Sequence, residues 1–255
     1  MIFAKRGSLF IGRFGPLLGD LRLVHGISTR KGGVSTGPFT SLNLGTKTGD
    51  DEASVAENRR RFLEALDAVP DAMAEPEQVH GTAVAVASSA GRFPETDGLV
   101  TDRPGVLLTL LVADCLPLFL CDPERHAIGL VHAGWRGTRD GIAAGAVRLM
   151  VSRFGCRAED MRVFVGPGIG PCCYRVGSDT ASQFDPRYVR DGRLDLRRAN
   201  RELLLEQGIK ESSILISGLC TACHTELFFS HRAEGGRTGR MMAVFGIIEG
   251  GPFGT

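Results

Sequence analysis

The sequence has no apolar run near the ~18 residues a membrane span requires. Its best candidate, Val106 to Ala113, is far too short and reads as a buried strand. It also lacks a block of like charges. Its 30 basic and 29 acidic residues leave a formal charge of +1, which removes the electrostatic footprint of a nucleic-acid or membrane-surface protein. Small anionic ligands stay open, because they require only one local pocket. The opening stretch MIFAKRGSLFIGRFG is broken by charges and glycines too early for a signal-peptide core. The expectation is therefore a cytoplasmic protein, a monomer or weak homodimer, with no nucleic-acid or membrane partner. Histidine is scarce as well: six residues, one of them behind a C-x-x-C, cannot build the usual multicopper cluster.

No repeat, low-complexity segment or Pro/Gly/Ser-rich linker divides the 255 residues, and an apolar share of 43% is enough to fill a sizeable core. The chain is read as a single domain, residues 1–255. Its seven cysteines, at 115, 121, 156, 172, 173, 220 and 223, are odd in number and scattered. In a reducing compartment they are thiols, and the question becomes which of them do chemistry.

Helix and strand signals alternate along the chain. Asp51 can cap a helix running to about Asp67, with Val55, Phe62, Leu63 and Leu66 on one face. Val106–Val112 and Ala127–Val131 are short apolar runs bounded by turn residues, as buried strands are. Thr138 or Asp140 can start a helix with Ile142, Leu149, Met150 and Phe154 inward, although Gly141 and Gly145 weaken it. Arg162–Val165 and Ile214–Ser217 read as strands, Leu196–Gln207 as a helix stopped by Gly208, and Arg240–Ile248 as a final strand. This predicts an α/β (α+β) fold with at least one sheet covered on both faces, its strand order not legible.

Three segments share one design. Gln78-Val79-His80-Gly81 sets a histidine beside a glycine, Ala113-Asp114-Cys115 closes the run Val106–Val112, and His132-Ala133-Gly134-Trp135-Arg136-Gly137 follows Ala127–Val131. Side chains at strand ends project into the crevice beside a sheet, and adjacent glycines let a ligand approach the backbone. Two imidazoles and a thiolate suit zinc, and three protein ligands leave a fourth position for water or substrate. The spacing fits no short zinc motif. The same residues also suit a Cys–His hydrolase, with Cys115 as nucleophile and His132 or His80 as base, or plain core packing.

Arg30-Lys31-Gly32-Gly33-Val34-Ser35, followed by Asn43, can present cations and backbone N–H groups to phosphate or be a solvated turn; Arg136 is a second anion contact. The Gly166–Tyr174 segment lacks the strand-then-helix G-x-G-x-x-G of a dinucleotide site and reads as a rigid pocket wall with Cys173 and Tyr174. Cys220-Thr221-Ala222-Cys223-His224 matches the haem-attachment spacing, but without an export signal that reading fails. As a structural zinc site it lacks a second ligand pair at suitable spacing.

HGISTRKGGVSTGPFTSLNLG, a helix ending in NRRRF, EQVHG, TDGLVT, ADCLPLFL, VHAGWRGT, GPGIGPCCYRVG and HTELFFSHR follow one another from about His25 to about Phe245. In that order they resemble the laccase-domain family, also called polyphenol oxidoreductases or peptidoglycan editing factors. The resemblance implies one domain of packed mixed sheets flanked by helices, similar to some cysteine hydrolases. It implies a metal, Zn2+ with Cu2+ as the alternative, held by His80, Cys115 and His132. It also implies purine nucleoside chemistry: phosphorolysis of adenosine, inosine or 5′-methylthioadenosine, and adenosine deamination. Arg30, Asn43 and Arg136 would then position phosphate, Cys173 and Tyr174 would line the pocket, and Asp114 is the nearest carboxylate for proton transfer. Competing readings are a metal-free cysteine amidase acting on a cell-wall precursor, a copper oxidase of phenols, and a binding module that senses nucleosides. Two departures stand at the rim: Arg175 where the family commonly has glutamate, and Ser230-His231-Arg232-Ala233 where relatives often have Ser-Tyr-Arg-Arg.

Overall fold

Strands buried on both faces carry apolar residues at every position, and two such sets dominate this protein. The computed structural model describes residues 1–20 and 22–248; the rest of the expected 1–255 domain lies outside the described residues. One sheet has seven strands in the order β1 (Ile2–Arg6), β2 (Leu9–Arg13), β3 (Leu23–Ser28), β15 (Met241–Ile247), β8 (Leu107–Val112), β4 (Met73–Pro76), β6 (Gly91–Phe93). The other has six: β14 (Ile214–Ile216), β11 (Arg162–Val165), β9 (Leu116–Asp122), β10 (Ala127–Ala133), β7 (Gly98–Thr101), β5 (Val84–Val86). A small hairpin joins β12 (Val189–Arg190) to β13 (Arg193–Leu194). Both large sheets are mixed: β15 runs antiparallel to β3 and β8 while β4 runs parallel to β8, and β11 runs parallel to β14 but antiparallel to β9.

The sheets pack face to face, with helices outside. Between them lie Leu108, Leu110, Ala243 and Phe245 from one sheet and Phe119, Ile128, Leu130 and Phe164 from the other. Phe119 meets Phe245 edge-on at 5.5 Å, a geometry that adds roughly 0.5–1.5 kcal/mol to the burial of the rings. The alternate residues Leu118, Leu120 and Val131 face α4 (Ile142–Phe154) and α6 (Leu196–Glu206) through Ile142, Val147, Met150 and Leu204. On the opposite outside, Met242, Val244 and Leu107 meet Phe62, Leu63 and Leu66 at α2 (Glu52–Glu64). The period of two in side-chain direction thus feeds two cores from each strand, giving four layers: helix, sheet, sheet, helix. Single turns α1 (Gly15–Leu18) and α5 (Ser178–Ala181) and the short α3 (Trp135–Arg139) complete the set.

The mixed α/β architecture agrees with the sequence reading, with shifts at the boundaries that have local causes. Asp51 caps α2 as expected, accepting from the Ser54 amide at 2.8 Å. The helix stops at Glu64 rather than near Asp67, because Asp67 turns left-handed (φ 55°) and the Ala68 amide returns to the Leu63 carbonyl. The helix expected from Thr138 or Asp140 is split in two by Gly141 at φ 80°, so α4 begins at Ile142.

One buried amide ties the N-terminal loop to α2. Asn58 is fully buried; its Nδ2 donates to Ser35 Oγ, Ser41 O and Asn43 O, and its Oδ1 accepts from the Val34 amide at 2.8 Å. Removing the side chain strands several buried polar groups, each costing about 1–3 kcal/mol. Asn58→Ala should therefore destabilise the protein by about 3 kcal/mol and lower the melting temperature by roughly 6–12 °C. Arg60→Ala breaks only exposed pairs with Glu57 and Glu64 and should stay within about 1 kcal/mol of wild type. Calorimetry of the two variants tests the contrast, and equal shifts would refute it.

Candidate metal centre

Strand register assembles this site. In the β9–β10 hairpin, Leu116 pairs with Ala133 and Pro117 with His132, so Cys115, one residue beyond the ladder, lies beside His132. On the other side of β10, Gly98 pairs with Val131, and the His132 amide donates to the Asp97 carbonyl at 2.7 Å. Three neighbouring strand ends thus present Cys115, His132 and Asp97 together. His80 arrives from the other sheet. Gln78 reads the edge of β8 like a strand, donating to Leu111 O and accepting from Leu111 N, both at 2.9 Å, and this docks the His80 loop beside the Cys115 turn.

Asp97 fixes the geometry. Its fully buried carboxylate accepts from three successive amides, Val79 at 3.1 Å, His80 at 2.9 Å and Gly81 at 2.7 Å. It also pairs with His132 Nδ1 at 2.8 Å. That bond occupies Nδ1 and leaves His132 Nε2 for a ligand, as outer partners of metal-binding histidines do. Burial works against the charge on Asp97, yet the hydrogen bonds from His132 and the loop amides prevail and hold its carboxyl below the usual range. The same amides keep His80 at φ 62°, a left-handed conformation that a non-glycine residue adopts only when its surroundings impose it.

One donor atom from each of His80, Cys115 and His132 lies within 4.8 Å of the others, and the two imidazoles meet edge-on at 4.9 Å between centroids. An ion at ~2.0–2.3 Å from each donor fits this set. Gly134 leaves the room for it: a Cβ there would come within 3.0 Å of Cys115 Sγ and 3.4 Å of His80 Cδ2. His132 is buried, Cys115 half-buried and His80 exposed, so the cluster opens to solvent on the His80 side. Burial pushes the Cys115 thiol up, but the two imidazoles outweigh it and bring it down to about 6. Burial likewise lowers His132, and Cys115 and Asp97 reverse this to about 9. Without an ion, thiolate and imidazolium coexist between those values.

The other expected site residues divide into two groups. Arg136 is exposed; its guanidinium stacks on Trp135 at 4.5 Å and has no hydrogen-bond or ion-pair partner among the described residues. Tyr174 is held up near 12, by burial first and then by Cys115, so it keeps its proton; Arg232 covers its ring at 5.2 Å. Arg30 is instead engaged with Glu234, Thr40 O and Thr225 O. Asn43 is fully buried, bonding Thr48, Asp50 and the amides of Gly45 and Arg240. Both brace loops rather than offer free donors. Asp114, at φ 88°, accepts from Thr221 Oγ1, Ser230 Oγ and the Arg232 amide at 2.6–2.7 Å; its carboxylate is already taken up. Cys173 lies not in this cluster but with three other thiols.

Two contributors went unread in the sequence. Asp97 sits in the TDGLVT segment, where Asp-Gly before an apolar run looks like a turn signal. Arg240 is a half-buried cation that Asp114 and Cys115 partly sustain against burial, yet it looked like a strand's first residue. A cavity of about 240 Å3 lined by Leu17, Asp122, His126 and Arg162 lies at the opposite ends of β9 and β10 and holds none of the candidate residues.

Residues 24–248 match the family described as multi-copper polyphenol oxidoreductase laccase. Purine nucleoside phosphorylase YlmD of Geobacillus stearothermophilus is 42% identical over 89% of this chain and 90% of its own. A purine nucleoside phosphorylase of Deinococcus radiodurans is 45% identical over the same shares. The crystal structure of the Geobacillus stearothermophilus protein superposes with a TM-score of 0.90, at 39% identity, covering 97% of this chain and 99% of that one. With a matched profile spanning nearly all its strands and both histidines and the cysteine of the centre inside it, the chain belongs to the laccase-domain family.

Proposed function

We propose that this protein is a zinc-dependent purine nucleoside phosphorylase, a single cytoplasmic catalytic domain. It cleaves adenosine, inosine and 5′-methylthioadenosine with phosphate and deaminates adenosine at the same centre. One observation carries the reading: His80, Cys115 and His132 converge at an open crevice in a chain 42–45% identical to proteins named purine nucleoside phosphorylases. Copper is the alternative ion, since imidazole and thiolate suit it as well.

In phosphorolysis, a phosphate oxygen bonds to C1′ as the C1′–N9 bond breaks, and the electron pair leaves on the purine, which takes up a proton. In deamination, a water oxygen bonds to C6 and ammonia departs. A bound zinc supplies Lewis acidity for these charge movements. The chain's own residues do the rest. Asp97 holds the His132 ring and the His80 loop in place, and Gly134 lets the substrate approach. Arg136, unpaired at the rim, attracts and orients phosphate, while the protonated Tyr174 hydroxyl offers a donor to the substrate. Arg30, Asn43 and Asp114 act on this site through the loops they brace.

A second reading rests on the same geometry. Asp97, His132 and Cys115 stand in the order orienting carboxylate, base and nucleophile of a thiol hydrolase, such as an amidase acting on a peptidoglycan precursor. The two readings part in their response to chelation.

Cys115→Ala should lose one metal equivalent per chain and its phosphate-dependent release of adenine, measured by elemental analysis and product chromatography. Full activity in metal-stripped protein, abolished by alkylation, would move the case to the thiol hydrolase. Asp97→Asn should weaken metal affinity by roughly 10–100-fold through the loosened His132 ring, read by competition with a chelating dye. Arg136→Ala should raise the KM for phosphate about ten- to a hundredfold, the worth of a charge-assisted contact, with the KM for nucleoside little changed. In metal-stripped protein, the lowered Cys115 pKa puts the thiolate in place above about pH 6. Iodoacetamide labelling of Cys115 should therefore reach half its maximal rate near pH 6, and a midpoint above pH 8 contradicts the imidazole effect.

A further inference from the structure

Four thiols outside the centre meet at one point. Cys172 and Cys173 lie in the turn after β11, Cys220 and Cys223 in the loop after β14. Although the pairs are far apart in sequence, all four sulfurs lie within 4.8 Å of one another. Cys223 Sγ is 3.4 Å from Cys172 Sγ and 3.3 Å from Cys173 Sγ. A disulfide needs ~2.05 Å, whereas a tetrahedral ion at ~2.3 Å from each sulfur sets edges of ~3.8 Å. The C-x-x-C thus has the partner pair that its sequence spacing did not reveal.

We propose that Cys172, Cys173, Cys220 and Cys223 form a second metal site, a closed tetrathiolate zinc centre that fastens the Gly166–Tyr174 wall to the 218–224 loop. Thiolates packed this closely repel one another, and a soft divalent cation is the group that relieves the repulsion. The surroundings suit a charged sulfur site. The Gly170 amide donates to Cys220 Sγ at 3.2 Å, the outer hydrogen bonding that supports metal ligands.

Arg197 supplies positive charge beside the sulfurs. It donates to Gly168 O, Leu219 O and Gly218 O, bridging both segments, while its buried Nε has no partner. A Cβ on Gly170 would stand 3.4 Å from Arg197 Nη2 and 3.2 Å from Cys172 Sγ, so guanidinium and thiols flank the same glycine. The two segments are already in register through a bridge between Gly168 and Cys220 and a bond from the Thr221 amide to Gly168 O at 3.2 Å. Cys172 and Cys223 are exposed, which gives an ion a path in.

The site would stabilise the wall of the crevice. A Cβ on Gly168 would come within 2.8 Å of Asp114 O and 3.3 Å of Cys115 O, and Thr221 Oγ1 donates to Asp114 at 2.6 Å. The thiol-bearing segments therefore press directly on the Asp114–Cys115 turn.

Protein made in zinc-supplemented medium and purified under reducing conditions should hold about two zinc ions per chain by elemental analysis, with Cys115→Ala and Cys223→Ser each holding about one. Cobalt substitution should give the strong sulfur-to-metal absorption of a tetrathiolate in Cys115→Ala and not in Cys223→Ser. If one zinc is found and Cys115→Ala abolishes it, the proposal fails. It also fails if intact mass shows these four cysteines joined in disulfides. If the single zinc instead survives Cys115→Ala and is lost in Cys223→Ser, this site stands and the proposed catalytic centre falls. Should Cys223→Ser not fold, non-denaturing mass spectrometry of Cys115→Ala decides alone: one zinc bound supports the site, none overturns it.

Discussion

A carboxylate taken out of water costs several kcal/mol unless hydrogen bonds replace its hydration, and Asp97 is fully buried. Its replacements are the three amides of residues 79–81 and His132 Nδ1. Each of these bonds does a second job. The imidazole bond selects the tautomer that leaves His132 Nε2 for a ligand, and the amide bonds hold His80 in a backbone conformation it would otherwise avoid. Two of the three candidate ligands are thus set by one side chain. Both would be held more loosely if Asp97 were asparagine, because its amide has one acceptor oxygen for four partners now shared between two.

The third ligand is placed by a parallel device. Asp114, also left-handed, is held by Thr221, Ser230 and the Arg232 amide, and it delivers Cys115 at the edge of the β9–β10 ladder. Both devices lie at the same ends of strands whose middles are apolar on both faces. The sandwich supplies rigidity, since sliding any strand by one residue would exchange the two cores it feeds. In β9 and β10 the polar residues Asp122 and His132 stand at or next to the strand ends, where the packing of four layers stops.

Some of this was legible in the sequence and some was not, for physical reasons. The fold class was, because Val106–Val112 and Ala127–Val131 are almost wholly apolar runs, as strands covered on both faces tend to be. β9 escaped because it follows β8 after only three residues and contains Pro117, which argues against a central strand. β1 escaped because much of it is exposed and carries charge. His80, Cys115 and His132 stood out because each ends or follows an apolar stretch, with a glycine one residue after His80 and two after His132. The carboxylate that orders them did not, since Asp-Gly marks a turn in most contexts. Asp114 was visible by position, but its three donors belong to segments over 100 residues away, which no local pattern reveals. Arg30 and Asn43 were read as anion contacts for their chemistry, and the structure uses that same hydrogen-bonding capacity to hold loops.

The departures from the family pattern fall where this architecture tolerates them. Arg232 Nη1 donates to the carbonyl of Arg175, not to its side chain, so exchanging glutamate for arginine at 175 leaves that contact unchanged. Arg232 anchors to Asp114 through its own amide, which is again indifferent to the side chain at His231. The carbonyl of residue 175 and the amide of residue 232 are main-chain groups, so these two fastenings do not depend on the side chains at 175 and 231. Side chains at the rim can therefore change charge and shape, and with them the choice of substrate, while the positions of Cys115, His80 and His132 stay fixed.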